Sequence, residues 1–284
     1  MRGKTVVITG GNAGIGKETA VGLAQQGAHV VVTARNAARG EAAAAEIRER
    51  AGTDGQVEVM ALDLASLASV REFALELGRR HDRLDVLVNN AGVVLSSRQL
   101  TSDGFERTFG VNHVGHFALT DLLLPQLRAS APSRVVNVSS HAHKSARNGL
   151  DFDDLQAEQR YQPFAVYSRS KLANIYFTRE LARWLDESGV TVNAVHPGFV
   201  RSHFGRDGDL GLAMGIGITA VQLFAISSKR GASTSIFMAS SPEVEGVTGK
   251  YYFRSKPATV SKAAEDDEAA RRLWSASEEL VAGA

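Results

Sequence analysis

The sequence predicts an α/β fold, a single-domain doubly wound seven-stranded parallel sheet with helices on both faces. Short runs rich in β-branched residues alternate with longer segments of helical periodicity, and a glycine-rich turn directly follows the first run. No linker or internal repeat interrupts the alternation. Strands that alternate with helices form βαβ units with right-handed crossovers, and such units build a parallel sheet that is covered on both faces.

Each element has its own sequence signal. The β-branched runs predict strands at 5–10, 29–34, 57–63, 84–92, 133–140, 190–198 and 249–253. Helical patterns lie between them, at about 14–26, 38–50, 66–80, 102–129, 165–186 and from about 261 onward.

Composition excludes several classes of function. The 284 residues carry a net charge of +1, which gives no electrostatic reason to expect nucleic acid as a partner. Because cysteine is absent, disulfides, thiolate metal sites and cysteine nucleophiles are excluded. The start of the chain shows no export signal, so we expect a cytoplasmic protein. The uncharged segment 210–228 contains several glycines, and we expect a cover over a pocket rather than a stable membrane span.

Polar or glycine-containing clusters end six of the predicted strands: TGG, TAR, LD, NNAG, VSS and HPG. In open parallel sheets, ligands bind outside the carboxyl ends of the strands. The six clusters therefore predict the rim of one binding crevice.

The first cluster continues into TGGNAGIG (9–16), which places Gly10, Gly14 and Gly16 between a strand and a helix. Glycines allow the tight turn, and the N–H groups of a helix N-terminus bind a pyrophosphate. This turn predicts a Rossmann-type dinucleotide site.

The end of the second strand indicates which dinucleotide is bound. It carries Arg35 rather than the Asp or Glu that holds the ribose hydroxyls of the unphosphorylated cofactor. A guanidinium pairs with a 2′-phosphate, so the sequence favours NADP(H), and Arg39 adds a second positive charge. Asp63 is a candidate acceptor for the adenine amino group; its alternative role is at a helix N-terminus, where Ser66 is better placed as a cap.

Tyr167 and Lys171 lie four residues apart on a predicted helix and share one face. A cation favours the phenolate, so Lys171 is expected to lower the pKa of Tyr167. Ser139 and Ser140 end the fifth strand, where a hydroxyl can hold a carbonyl oxygen. Asn112 breaks a helical pattern, which is a functional hint when it occurs beside a crevice.

From about residue 4 to residue 282 the sequence resembles the short-chain dehydrogenase/reductase family. TGGNAGIG is similar to the cofactor loop of that family, and NNAG (89–92) is similar to its sheet-stabilising motif. YSRSK (167–171) is similar to its active-site motif, and HPGFVRS (196–202) to its Pro-Gly cofactor segment.

The resemblance implies a catalytic tetrad of Asn112, Ser140, Tyr167 and Lys171. Tyr167 would donate a proton to the carbonyl oxygen as hydride arrives from NADPH, or remove that proton in the reverse direction. Ser140, the second serine of its pair, would polarise the carbonyl. Lys171 would lower the pKa of Tyr167, and Asn112 would hold a water that links Lys171 to solvent.

The predicted cofactor contacts combine the motif positions and the strand ends. They are Gly10, Asn12, Gly14, Ile15, Gly16, Arg35, Asn36, Asp63, Leu64, Asn90, Ala91, Gly92, Tyr167, Lys171, Pro197, Gly198, Val200 and Ser202. We expect one domain over 1–284, in which 4–148 is mainly the dinucleotide-binding half. The second half, 149–284, would hold the Tyr/Lys helix, a substrate lid at about 199–228 and the C-terminal helix.

The gap between Ser140 and Tyr167 is about twice that usual in the family and includes 148–164. With VNHVGHF, SKLANIYFTRELA, PEVEGVTGKYYF and ARRLWSASEELV, this insertion is similar to the retinol dehydrogenase-like branch. The branch implies a lipophilic aldehyde or ketone and its alcohol as substrates, and it implies NADP(H). The tentative substrate pocket comprises Ala142, Phe199, Phe204 and Leu212.

Two alternative functions remain open at this point: reduction of a carbon–carbon double bond, and a non-catalytic NADP(H) sensor. His113, His116, His141 and His143 lack carboxylates at ligand spacing, so we expect no metal site among them. As in most of the family, we expect a homodimer or homotetramer.

Overall fold

The computed structural model describes residues 1–52, 57–200 and 226–284. Its centre is an eight-stranded sheet in the order β3-β2-β1-β4-β5-β6-β7-β8, in which every neighbouring pair is parallel except the last. This confirms the predicted doubly wound α/β class. The strands are β1 (Thr5–Ile8), β2 (His29–Ala34), β3 (Val57–Ala61), β4 (Val86–Asn89), β5 (Ser133–Val138), β6 (Val190–His196), β7 (Tyr251–Phe253) and β8 (Lys256–Pro257).

Helices cover both faces of the sheet. They are α1 (Gly14–Ala24), α2 (Ala37–Ala51), α3 (Leu67–Arg80), α4 (Arg107–Phe109), α5 (Gly115–Ala129), α6 (Pro163–Trp184), α7 (Ser228–Ser240) and α8 (Asp267–Ala282). A π-helical segment, Gly110–Val114, joins α4 to α5, and short 3₁₀ turns lie at His141–Ser145, Pro242–Val244 and Lys262–Glu265.

Alternation along the strands divides the core in two. In β1, Val6 and Ile8 belong to the hydrophobic cluster that includes residues of α1, α2 and α7. Val7 belongs to the other cluster, which includes residues of α3, α5, α6 and α8. Successive side chains of a strand point to opposite faces, so a strand buried on both faces is apolar throughout.

The expected seven strands are corrected to eight. Strand β8 pairs antiparallel with β7 through Tyr252↔Pro257 and Phe253↔Lys256. The chain reverses at Arg254 and Ser255, whose φ angles of 51° and 58° are both positive. Tight hairpins require this backbone conformation, but it is normally signalled by Asn or Gly, and neither is present here.

The helix expected over 102–129 starts later and is not uniform. Glu106 caps α4 by accepting hydrogen bonds from Thr108 N and Phe109 N. The π-helical segment then follows, and α5 continues to Ala129. π-Helical turns are rare and frequently occur at functional sites, and this one contains Asn112.

Sequence analysis did not predict helix α7. Ser227 caps it by accepting a hydrogen bond from Arg230 N, and its residues Met238 and Ala239 are buried in the core cluster that it shares with α1. Within the described ranges 1–52, 57–200 and 226–284, no helix is both long enough and apolar enough to cross a membrane.

A buried carboxylate fixes the start of the sheet. Asp85, immediately before β4, is 2% exposed and accepts hydrogen bonds from Lys4 Nζ at 2.8 Å and from Thr5 N at 2.9 Å. Arg83 forms a two-pronged pair with the same carboxylate. Burial by itself raises the pKa of Asp85, but these three donors together hold it below its usual value.

We expect Asp85→Asn to lower the free energy of unfolding by about 2 kcal/mol at pH 7, because the charged hydrogen bonds are lost while the shape is kept. A carboxyl whose pKa is lowered by folding stabilises the fold above its unfolded pKa of about 3.9, and this contribution is lost as the pH falls through the folded value. Urea unfolding at a series of pH values should therefore show the two proteins converging below about pH 4.

The matched control is Asp82→Asn, three positions earlier and exposed, which should leave stability nearly unchanged. A loss of the same size in both variants, or a difference that does not depend on pH, would contradict this account of Asp85.

Candidate active site

The six polar or glycine clusters begin at or near the carboxyl ends of strands β1 to β6. Since these strands are all parallel, their ends meet at one edge of the sheet. The predicted cofactor and catalytic residues that lie within the described ranges follow these ends or stand on the helix and loop segments beyond them.

The buried hydroxyl of Thr9 joins three parts of this edge. It accepts hydrogen bonds from Asn90 N at 2.8 Å and Ala91 N at 2.9 Å. It also lies 2.9 Å from His116 Nε2, while His116 Nδ1 lies 3.1 Å from the carbonyl oxygen of Asn112. A carbonyl only accepts, so Nδ1 carries the proton of His116, and Thr9 donates to Nε2.

His116 remains neutral in this arrangement. Burial lowers its pKa to about 3, the hydrogen bond to the Asn112 carbonyl opposes that shift, and the positive charge of Lys171 adds to it. The neutral imidazole therefore links the strand end that begins the cofactor loop to the π-helical segment. From the sequence, His116 is expected to be a packing or pocket-wall residue rather than a metal ligand, and Thr9 is not singled out within TGGNAGIG.

The turn after β1 is shaped for close approach of a ligand. Gly14 has a φ of +52°, a conformation that side chains disfavour. A Cβ on Gly16 would lie 2.3 Å from the Gly10 carbonyl oxygen, so only glycine fits there. Gly10 N donates to Thr33 Oγ1 at 3.2 Å, which ties the turn to the end of β2. Two further predicted contacts, Asn12 and Ile15, lie half-buried in the same turn and at the start of α1.

Positive charge is available beyond β2. Arg35 is exposed, and across the described ranges no residue makes an ion pair or hydrogen bond with its guanidinium. Arg39 is exposed as well, and Asn36 caps α2 by accepting a hydrogen bond from Arg39 N. Asp63 is half-buried, and its Oδ1 accepts a hydrogen bond from Ala65 N at 3.0 Å, which leaves the second carboxylate oxygen available.

Leu64 and Asn90 pack beneath the ends of the strands and connect them to neighbouring segments. Leu64 is buried, and its carbonyl lies against α5, where a Cβ on Gly115 would come within 2.5 Å of it. The Asn90 amide donates to the Thr9 carbonyl at 2.8 Å. Its neighbour Asn89, which is buried, donates to Thr120 Oγ1 and Asn137 Oδ1.

Asn112 is completely buried and uses its whole side chain. Its Oδ1 accepts from Val93 N at 2.7 Å, and its Nδ2 donates to Val93 O and Ser170 Oγ, both at 3.0 Å. A Cβ on Gly92 would lie 3.3 Å from both Asn112 Oδ1 and Lys171 Nζ. The structure thus places Asn112 Oδ1 and Lys171 Nζ beside the same face of Gly92.

The two serines after β5 are not equivalent. Ser139 is 1% exposed, and its hydroxyl donates to the Lys171 carbonyl oxygen at 2.7 Å. Ser140 is half-buried; its hydroxyl accepts a hydrogen bond from Ala142 N at 3.1 Å and is hydrogen-bonded to the Tyr167 side chain. The predicted partner of Tyr167 is therefore the serine that the structure places beside it.

His143 is hydrogen-bonded to the backbone of Ser140. Its Nδ1 donates to the Ser140 carbonyl at 2.6 Å, and its Nε2 accepts from Ser261 N at 3.2 Å. This pairing fixes the tautomer, since the carbonyl cannot donate and the N–H cannot accept. The loop that carries Ser140 is thereby tied to the C-terminal part of the chain.

The pKa of Tyr167 is not lowered, as the sequence predicts, but raised. Burial raises the pKa of Tyr167 to about 12, and only the hydrogen bond with Ser140 opposes it. Burial lowers the pKa of Lys171 to about 8. Lys171 Nζ donates to Val138 O at 3.0 Å and lies 5.7 Å from the centre of the Tyr167 ring. In this structure burial sets the direction of both shifts, so the pKa of Tyr167 is raised rather than lowered as expected.

The loop after β6 is held by a third buried histidine. His196 Nδ1 accepts from His141 N at 3.3 Å and from Gly198 N at 3.2 Å. Burial lowers its pKa to about 4. His196 thus connects the Ser140 loop to the Pro-Gly segment. Val200 continues this segment and forms an isolated bridge with Ile226.

The remaining predicted contacts divide into two groups. Pro197 and Ala142 are half-buried, and Phe199 is 53% exposed. Ser202, Phe204, Leu212 and nearly all of the predicted lid lie outside the described residues.

His113 packs among aromatic rings and does not face the crevice. Its ring centroid lies 5.2 Å from that of Phe109 and 6.0 Å from that of Phe177, and Nε2 lies 2.8 Å from Ser277 Oγ. Burial lowers its pKa to about 3.

The insertion at 148–164 braces the helix that carries Asn112. Gln156 Oε1 accepts a hydrogen bond from the N–H of Glu106, the cap of α4, at 2.7 Å. The Tyr161 hydroxyl donates to the Leu95 carbonyl at 3.0 Å. The inserted segment thus packs on the same side of the crevice as the π-helical turn.

Comparison with known proteins identifies the family. The model of the short chain dehydrogenase family matches residues 4–151 and 154–209. The chain belongs to this family. It is 48% identical to retinol dehydrogenase 14 of Mus musculus over 297 residues, which covers 99% of this chain and 86% of the relative. This similarity places it in the retinol dehydrogenase-like branch and confirms the resemblance drawn from the motifs.

Solved structures support the same assignment. A protein from Mycobacterium Paratuberculosis matches with a TM-score of 0.77 and 38% identity, covering 99% of this chain and 94% of that one. The Pseudomonas aeruginosa RhlG/NADP active-site complex matches with a TM-score of 0.69 and 30% identity, covering 88% and 94%. As a family member, the chain is an oxidoreductase.

We expect Thr9→Val to lower the free energy of unfolding by about 2–3 kcal/mol, because the buried N–H groups of Asn90 and Ala91 would lose their acceptor. Thr33→Val removes an acceptor from a single N–H, that of Gly10, and should cost about 1 kcal/mol. Urea unfolding of both variants measures the two losses. Equal losses, or a larger one for Thr33→Val, would contradict the role of Thr9 as the shared acceptor.

Proposed function

We propose that the chain is an NADP(H)-dependent oxidoreductase that interconverts a lipophilic aldehyde or ketone and its alcohol, with Tyr167 as general acid and base. The observation that carries the proposal is the hydrogen-bonded pair of Tyr167 and Ser140, which stands beside buried Lys171. A phenol and a second hydroxyl can both bind one carbonyl oxygen, and the dinucleotide turn lies at the same sheet edge.

The residues at the sheet edge fit a phosphorylated nicotinamide dinucleotide. The turn is so closely packed that a Cβ on Gly16 would clash with the Gly10 carbonyl oxygen. The backbone N–H groups at the start of α1 suit a pyrophosphate. The exposed guanidinium of Arg35 suits a 2′-phosphate. When bound, such a cofactor supplies or accepts the hydride. The RhlG/NADP complex, on a similar fold, is consistent with this choice.

The residues of the chain would perform the proton chemistry. With a pKa of about 12, Tyr167 is a neutral phenol at pH 7 and can donate its proton to a carbonyl oxygen that Ser140 orients. The pKa of about 8 for Lys171 lets it exchange a proton near neutral pH and so restore the phenol. Asn112 would hold the Val93 backbone and, through Ser170, the helix that carries Lys171.

A lipophilic substrate is supported by two observations. Phe199, which follows the Pro-Gly segment, exposes about half of its ring surface. The relative that is 48% identical is named for retinol, a lipophilic alcohol, and it matches 99% of this chain. Ala142, Phe199, Phe204 and Leu212 remain our candidates for the pocket wall.

Activity is tested by following NADPH oxidation at neutral pH with a panel of hydrophobic aldehydes and ketones. We expect turnover in the wild type and a loss of about 10²–10⁴-fold in kcat for Tyr167→Phe, which lacks the transferable proton. Tyr161→Phe is the matched control, because that hydroxyl contacts a loop carbonyl and should retain activity.

Tight NADPH binding without turnover on any carbonyl would reject the proposal and favour the sensor. Turnover only on conjugated double bonds would favour the double-bond reductase. Full activity of Tyr167→Phe would reject Tyr167 as the acid.

Cofactor choice is tested separately with Arg35→Ala. Because the guanidinium would pair with the 2′-phosphate, we expect the KM for NADPH to rise about tenfold or more, while the KM for NADH hardly changes. Arg39→Ala, four residues further along, should have a smaller effect. Equal use of NADPH and NADH by the wild type would contradict the assignment to NADP(H).

A further inference from the structure

Two imidazoles and a carboxylate converge at the edge of the sheet opposite the crevice. His29 is the first residue of β2, Glu58 lies near the start of β3, and His81 follows the end of α3. Glu58 Oε2 lies 3.0 Å from His81 Nε2 and 3.4 Å from His29 Nε2. One ligand atom from each residue lies within 4.8 Å of the other two.

Within the described ranges, His29 Nε2 has no hydrogen-bond partner. His29 Nε2 is buried from solvent, and its contact with Glu58 does not have hydrogen-bond geometry. A buried polar atom without a partner is uncommon and calls for an explanation, and an unobserved ion is one such explanation. The orphaned nitrogen points into the cluster, where a metal would satisfy it.

We propose that His29, Glu58 and His81 bind a Zn²⁺ ion, with water as the fourth ligand. Zinc takes imidazole nitrogen at about 2.0–2.1 Å and carboxylate oxygen at about 2.0–2.2 Å in tetrahedral geometry, which separates neighbouring ligand atoms by roughly 3.3–3.5 Å. The distances from Glu58 to the two imidazoles are close to this spacing. The ligand nitrogens of His29 and His81 lie within 4.8 Å of each other, and zinc binding would require the His29 ring, whose side chain is 37% exposed, to rotate until they reach the tetrahedral spacing.

The charges around the cluster allow a cation to bind. Arg80 contacts the other oxygen of Glu58, Oε1, at 2.8 Å and is also paired with Glu76 at 2.7 Å. Glu58 Oε2 therefore remains available to the metal. Arg80 orients the carboxylate through its contact with Oε1.

The position of the cluster predicts a structural role. It connects β2, β3 and the end of α3, which are separate elements at one side of the sheet. Strand β2 rises about 3.3 Å per residue, so His29 lies roughly 17 Å from Ala34 at the crevice end. Bound zinc should therefore stabilise the fold with little direct effect on the oxidoreductase chemistry.

The site is tested on the full chain by zinc titration calorimetry and by thermal unfolding in excess zinc chloride or in EDTA. We expect the wild type to bind one Zn²⁺ in this cluster and to melt about 5 °C higher with zinc than with EDTA. His29→Asn, His81→Asn and Glu58→Gln should each weaken zinc binding by about tenfold or more. Glu76→Gln is the matched control, since it contacts the same Arg80 but offers no ligand, and it should keep the wild-type response.

The zinc-induced shift, rather than the melting temperature itself, is compared, so a variant that folds less stably still gives an answer. If the wild type takes up no zinc, the cluster is an ion-pair network only and the proposal is overturned. An unchanged zinc response in all three ligand variants would overturn it as well, because the metal would then bind elsewhere. Neither outcome depends on the proposed oxidoreductase activity.

Discussion

The organisation of the crevice depends on one buried hydroxyl. Thr9 accepts hydrogen bonds from Asn90 N and Ala91 N and contacts His116, and His116 in turn holds the Asn112 carbonyl. A threonine hydroxyl has one proton and two acceptor sites, and all three are used here. The end of β1, the loop after β4 and the π-helical turn are therefore fixed relative to one another before any ligand binds, which is the preorganisation that catalysis requires.

Desolvation, rather than mutual attraction, sets the protonation of the proposed acid and its neighbour. Burial moves the pKa of Tyr167 up to about 12 and that of Lys171 down to about 8, so both shifts favour the neutral forms. A Lys171 that is close to losing its proton is suited to passing one on. In the proposed reaction Tyr167 would act as a hydrogen-bonded neutral donor, and Ser140, whose backbone carbonyl accepts a hydrogen bond from His143, would position the acceptor oxygen.

Much of this arrangement could be predicted from local sequence. Alternating strands and helices specify the sheet, and the polar ends of its strands specify the crevice. The parts that could not be predicted depend on long-range packing or on backbone choices without a residue signature. The π-helical turn at Asn112 has no distinguishing periodicity, and the hairpin at Arg254 and Ser255 lacks Asn and Gly. The cluster of His29, Glu58 and His81 forms only when the sheet brings distant residues together.

The central claim is that hydride moves between a nicotinamide and a carbonyl carbon at the Tyr167 site. NADPH deuterated at the transferable position of the ring, incubated with the chain and a lipophilic aldehyde, tests this claim most directly. We expect mass spectrometry to find one deuterium on the carbinol carbon of the alcohol product. Deuterium on a saturated carbon elsewhere in the product, or an alcohol without deuterium, would contradict it.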